Sequence, residues 1–152
     1  MFSAIIHNRI LVCSILAWAI AQVLKAFIYS VKNKTFEWKR LFGDGGMPSG
    51  HSSFVSALAV ATAMSFGFDS YQFALSAAFA IVVMHDAMSV RLESGKQAHA
   101  INQILDVLKS DSPIQNLARL DSLEVLKELL GHTPLQVVNG SLLGIVVALL
   151  YM

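Results

Sequence analysis

Hydrophobic positions along this chain fall into four long blocks, and the polar positions between them gather mainly in two stretches. Ile10 to Val31 is the first apolar run, interrupted by Gln22 and Lys25. Phe54 to Phe68 is the second; the short turn Gly67-Phe68-Asp69-Ser70 leads into the third, from Tyr71 to about Val90. Leu135 to Met152 is the last. A helix needs roughly 20 apolar residues to cross a bilayer, so the pattern predicts about four transmembrane helices, near 10–31, 53–68, 71–90 and 135–152. Arg9 with Ala17-Trp18-Ala19 has parts of a secretory signal. The apolar character continues past them through Val23-Leu24 and Ala26-Phe27-Ile28-Tyr29, which gives spanning length instead. Ser56, Ala57, Ala59, Ala61 and Ala63 suit close helix packing in lipid, as does the G-x-x-x-G pair Gly140 and Gly144.

The segment from about 94 to 131 has a different period. Leu105, Leu108, Leu117, Leu120, Leu123, Leu126 and Leu130 recur at helical steps among charged residues. Ser112-Pro113 divides the segment into two helices, with Ser112 as a cap. Such amphipathic helices lie on a membrane face or cover a site. The expected architecture is therefore all-α: a single membrane domain over 1–152, about four transmembrane helices in a bundle, with two amphipathic helices between the third and fourth. Composition agrees, since 55% of residues are hydrophobic and 14% charged, with mean hydropathy +0.61, against about 25% charged in a soluble domain. A net charge of +1 argues against a nucleic-acid partner. The single cysteine, Cys13, excludes a disulfide or cysteine-zinc cluster within one chain and reads as a packing residue.

Candidate chemistry begins at the loop Gly43 to Ser53. Pro48 suits a helix entry and Ser49 an N-cap. The amides of Gly50, His51 and Ser52 would then point into the loop, and with the helix dipole they form an anion site. His51 sits in the first helical turn, able to give or take a proton beside a bound anion. Four spans place 32–51 and 91–134 on one side of the membrane, and nine of the eleven Lys and Arg residues fall there. Arg9 lies on the other side and Lys25 within a span. The positive-inside rule assigns the first side to the cytoplasm. It brings Lys25, Lys39, Arg40, Ser49, His51, Asp86, Arg91 and His132 near one interface. A lysine inside a span either snorkels or serves a polar site.

These residues carry a resemblance. Pro48-Ser49-Gly50-His51 resembles a motif of the type-2 phosphatidic acid phosphatases, the superfamily shared with vanadium haloperoxidases. Gly131-His132-Thr133-Pro134-Leu135-Gln136-Val137-Val138-Asn139-Gly140 resembles its last motif, H-x-x-x-D-V-x-x-G, with Gln136 in the aspartate position. Gly45 to His51, Asp86-Ala87, Val90-Arg91, Gly95 to Ala98 and Gly131 to Pro134 are similar to the small divergent branch of that superfamily, over about residues 8–150.

The resemblance implies a membrane phosphatase acting on a lipid phosphate or diphosphate, of the phosphatidylglycerophosphate, phosphatidic acid or polyprenyl diphosphate class. It implies a phospho-histidine intermediate and no cofactor or metal. His132 would be the nucleophile and His51 the general acid. Lys25, Lys39 or Arg40, and Arg91 would hold the phosphate oxygens, with the amides around Ser49 and Gly50 completing the cradle. Gln136 would orient the nucleophilic ring, and Asp86 would stand in for the missing carboxylate. The family's K-x6-R-P motif and the S-R pair before the nucleophile have no clean copy here. The remaining expectations are a bilayer and a lipid phosphate as partners and a plasma (inner) or plastid membrane location. The family's larger bundle is to be imitated within one chain or completed by a homodimer, with Gly140 and Gly144 a candidate contact for either. The alternative function is a non-catalytic protein binding anionic lipid headgroups; a weaker one is a metal site built from Asp44, Asp86 and the histidines.

Overall fold

A computed structural model of the chain describes residues 6–34, 46–110 and 132–152. Five helices run through them: α1 (Arg9–Asn33), α2 (Gly50–Phe66), α3 (Tyr71–Met88), α4 (Val90–Ser110) and α5 (Pro134–Tyr151). Among the described residues there is no strand, so the chain is an all-α membrane helical bundle.

Local signals account for the boundaries. Asn8 caps α1 by accepting from the Leu11 amide, Ser49 caps α2, and Ser70 caps α3 through the Phe73 amide. Gly67 ends α2 at φ 89°, a backbone conformation that side chains disfavour. Thr133 opens α5 with a capping box, its hydroxyl on the Gln136 amide and the Gln136 side chain on the Thr133 amide, with Pro134 directly after. Ser89 alone separates α3 from α4.

Among the described residues, three helical stretches are long and apolar enough to cross a membrane: Arg9–Asn33, Tyr71–Val107 and Pro134–Tyr151. The second expected span lies at the short end of spanning length. α2 has 17 residues, about 26 Å at 1.5 Å per residue, slightly less than the ~30 Å hydrocarbon core. It packs on α1, α3 and α5 together and is the innermost helix. Its buried positions are nearly all small: Gly50, Ser52, Ser53, Val55, Ser56, Ala57, Ala61, Thr62 and Ala63. A helix surrounded by other helices needs no lipid-matching length; its surface must only let backbones approach.

The α2–α5 contact takes this furthest. A Cβ built on Gly140 would strike the carbonyl oxygen of Ser49, and one on Gly144 would strike that of Ser53. Gly-x-x-x-Gly on α5 thus lies on Ser-x-x-x-Ser of α2, backbone against backbone. This seam is internal, one of the two uses that the sequence left open for the glycine pair. Beside it, Cys13, Ala17, Ala57, Ala61 and Ala148 form a core of small, fully buried residues, and the Ser53 hydroxyl donates to the Ala17 carbonyl at 3.0 Å. Cys13 packs as expected.

Arg9 donates to the carbonyls of Tyr151 and Met152 at 3.2 and 3.0 Å, so α1 begins where α5 ends. His132 lies at the other end of α5, just before its first turn, and the start of α2 meets α1 midway, at Trp18 and Gln22. α4 begins at Val90, earlier than the expected amphipathic segment, and leaves Ile101, Ile104 and Val107 exposed while burying Ala98 and Asn102. The second expected amphipathic helix, beyond Pro113, lies outside the described residues.

Gly144→Ala should force α2 and α5 apart and destabilise the fold by about 1–3 kcal/mol, the usual cost of overpacking. Thermal unfolding in detergent reads this directly, with Val146→Ala on the exposed face of α5 as the comparison. An equally stable Gly144→Ala protein would show that the seam is not tight.

Candidate functional site

The site is built at the junction of the loop before α2, the end of α3 and the entry to α5. Ser49 is its joint. The Ser49 amide donates to the Gln136 carbonyl at 3.0 Å. Its hydroxyl accepts from the Ser52 amide at 3.3 Å and from the Ser52 hydroxyl at 3.0 Å. These bonds correct part of the expected cradle. Ser49 is fully buried and its amide serves the α5 entry, while the Ser52 amide is consumed by the cap. The amides of Ser49 and Ser52 are thus taken up by the fold itself.

His132 is 3% exposed although it precedes α5 outside regular structure. Its amide donates to the Ala87 carbonyl at 3.0 Å, which ties it to the last turn of α3. Its Nδ1 lies 3.1 Å from Oε1 of Gln136, and the same Oε1 accepts from the Thr133 amide at 3.1 Å. A backbone N–H can only donate, so that bond fixes which end of the glutamine amide is oxygen. An oxygen facing Nδ1 requires the proton on Nδ1 and leaves the lone pair of a neutral ring on Nε2. The Gln136 side chain thus faces Nδ1 of the His132 ring.

The ring of His51 faces that of His132 edge-on, with centroids 6.1 Å apart and planes at 61°. Asp86 lines a cavity of about 350 Å³ with His51, Val82, Val83 and Ala87. Asp86 and Ala87 thereby bring α3 to both histidines, one through the cavity wall and the other through a carbonyl.

Lys25 is 4% exposed, so burial and not snorkelling describes it. Its stem lies under the loop, where a Cβ on Gly46 (φ 103°) would sit 3.0 Å from Lys25 Cγ. On the same face of α1, Trp18 and Gln22 press on Gly50, with a Cβ there meeting Trp18 Cδ1 at 3.2 Å and Gln22 Nε2 at 3.4 Å. Oε1 of Gln22 is buried with no hydrogen-bond partner. Sequence reasoning did not single out Trp18 or Gln22, although both share the 18–22–25 helical face with Lys25. It also passed over the T-x-x-Q capping box at 133–136, a signal that was present in the sequence.

Of the other expected residues, Lys39, Arg40 and Asp44 lie outside the described residues. Arg91 is in the first turn of α4, next to the α3–α4 junction. His7, His85 and His99 are exposed. Among the described residues no group of three or more His, Cys, Asp or Glu side chains is gathered to hold a metal.

With this arrangement in place, comparison with known proteins is informative. Residues 6–147 match the Divergent PAP2 family. The chain belongs to that family. It is also 37% identical over 149 residues to the uncharacterized membrane protein YuiD of Bacillus subtilis (strain 168), covering 95% of this chain and 94% of that protein. No solved structure matches. Family membership and the apolar helices make the chain an integral membrane protein of a phosphatase-related family.

The tautomer is open to measurement. In protein labelled with 15N-histidine, the neutral His132 ring should be protonated at Nδ1, and Gln136→Leu should abolish that preference. The same substitution removes half of the capping box and should lower stability by about 0.5–2 kcal/mol. A ring protonated at Nε2 in the unsubstituted protein would contradict the assignment.

Proposed function

We propose that this divergent PAP2 protein hydrolyses a lipid phosphate or diphosphate through a phospho-histidine intermediate. The observation that carries the reading is the buried His132, held by Gln136 in the tautomer with a lone pair on Nε2 and facing His51 across 6.1 Å.

In this reading Nε2 of His132 attacks phosphorus, the P–O bond to the lipid breaks, and His51 protonates the departing oxygen. His51 then removes a proton from the water that attacks the phospho-histidine. Inorganic phosphate leaves and both rings return to their starting states. Lys25, Lys39, Arg40 and Arg91 offset the negative charge of the transferring group, and the amides of Gly50 and His51 donate to its oxygens at the helix start. Asp86 lines the same cavity as His51, and in this reading its carboxylate stabilises the His51 ring when it is protonated. A neutral glutamine stabilises an imidazolium less than an aspartate would. Its contribution at His132 is positional, holding the lone pair toward the reacting phosphorus.

Lys25 is buried with its stem under Gly46, which puts a cationic side chain beside the loop before α2. The distribution of Lys and Arg favours the cytoplasmic side for the site. The substitution of Gln136 for a carboxylate is also what a protein that binds anionic headgroups without turnover would tolerate.

Phosphate release from phosphatidic acid, phosphatidylglycerophosphate and polyprenyl diphosphates by purified protein in detergent tests the proposal. His132→Ala should reduce release to background and His51→Ala should reduce it by about 10²–10⁴-fold, with chelator making no difference. Binding without release from any of them would turn the assignment to a headgroup-binding protein. Loss of release in chelator would turn it to metal chemistry.

A further inference from the structure

A second cavity of about 350 Å³ adjoins the first and has a different character. Its walls are Trp18 of α1, His51, Phe54 and Val55 of α2, and Phe79 and Val83 of α3. His51 and Val83 belong to both cavities. Along α2, Phe54 and Val55 lie about one turn below His51; along α3, Phe79 lies about one turn below Val83, on the side away from Asp86. The groove therefore leads from the proposed leaving-group acid down between three helices, and everything below His51 is apolar apart from the indole N–H of Trp18.

The surroundings identify its occupant. Trp18 and Phe79 are 39% and 49% exposed, so the groove opens on the outer surface of the bundle. That surface is hydrocarbon-like on both flanks: Val23 and Phe27 of α1 and Leu75 and Val82 of α3 are all more than half exposed. Trp18 also lies 15 residues before the end of α1, about 22 Å along the helix axis, within the apolar run that makes α1 a span. A groove at this depth meets lipid chains and not water. Its volume lies within the range of ligand pockets, roughly 300–1,000 Å³, and its composition of many apolar walls and one polar group at the end suits a ligand with a charged head and an apolar body.

We infer that this groove seats the hydrocarbon chain of the phosphorylated substrate, with the ester oxygen at His51 and the phosphate beside His132. This rests on the proposed phosphoryl site and assigns the residues that would distinguish long-chain lipid phosphates from water-soluble ones. Water-soluble phosphate esters lack the part that the groove holds. Trp18 has a double place in this arrangement, walling the groove and packing on Gly50 at the start of α2. Chain occupancy and the helix entry that meets the phosphate therefore share one contact.

The test uses the full chain, in which Cys13 is the single cysteine and Trp18 and Trp38 are the two tryptophans. Phe79→Cys is made together with Cys13→Ala and Trp38→Phe, leaving Trp18 as the reporter. Its fluorescence is followed as a long-chain alkyl phosphate, brominated along the chain, is added in detergent. The same brominated chain ending in a hydroxyl is the control. The phosphate should quench saturably and inorganic phosphate should relieve the quenching, while the alcohol quenches weakly and without saturation. Coupling a short alkyl chain to the introduced thiol through a disulfide should fill the groove. It should weaken the alkyl phosphate by about tenfold or more, and a reductant should restore binding in the same sample.

Equal quenching by phosphate and alcohol, as from bulk lipid or detergent, overturns the inference. So does unchanged affinity after the thiol is alkylated. The two readings fail separately. Phosphate-dependent, blockable quenching without phosphate release keeps the groove and removes the hydrolase. Release from long-chain lipid phosphates that ignores the tethered chain keeps the hydrolase and removes the groove.

Discussion

The approach of α5 to α2 is the constraint on which the rest of the structure depends. At Gly140 and Gly144 the two helices meet with no side chain between them on the α5 side, because Cβ atoms there would collide with the carbonyls of Ser49 and Ser53. In lipid the hydrophobic effect gives helices little reason to associate. Close packing and hydrogen bonds between them supply the drive. The seam provides both, since the Ser49 amide bonds to the Gln136 carbonyl just above the first glycine. Two polar segments distant in sequence, the loop before α2 and the entry to α5, are thereby fixed against each other.

That join determines the chemistry available. Ser49 closes the cap of α2 and anchors α5, so it acts as structure although it lies within the family motif. Gln136 has two roles: its carbonyl oxygen on the backbone holds Ser49, and its side-chain oxygen holds both the Thr133 amide and the His132 ring. Where the wider superfamily is expected to use a carboxylate, this chain has a neutral amide that keeps the geometric function and gives up the charge. Asp86 lines the cavity that His51 also lines. The two histidines thus have different supports, one an amide and the other a carboxylate-lined cavity.

The site is also recessed. α2 begins at the level of Trp18 and Gln22, well before α1 ends, so the candidate phosphate cradle lies among apolar helices. Depth explains why Lys25 sits inside an apolar run yet is buried beneath Gly46. It also explains why a groove with apolar walls can reach the same histidine that faces the polar cavity.

The sequence by itself determined the class of the protein. Blocks of spanning length, the Pro48-Ser49-Gly50-His51 loop at a helix start, the G-x-x-x-G pair and the segregation of Lys and Arg are all local or compositional signals. Hydropathy and capping preferences act over a few turns of one chain segment, so they can be read from it. Gln136 as the orienting residue for His132 was readable for the same reason: four positions along, it returns to the same face one helical turn later. Tertiary structure decided what depends on how deeply one helix sits against another. It made α2 the central helix of the bundle and turned the glycine pair inward. It used the Ser49 amide for α5, gave the His132 amide to Ala87, and brought Trp18 and Gln22 onto Gly50. These outcomes follow from backbone separations in the packed bundle, fixed by the removal of side chains at the seam, and no period in the sequence encodes such a separation.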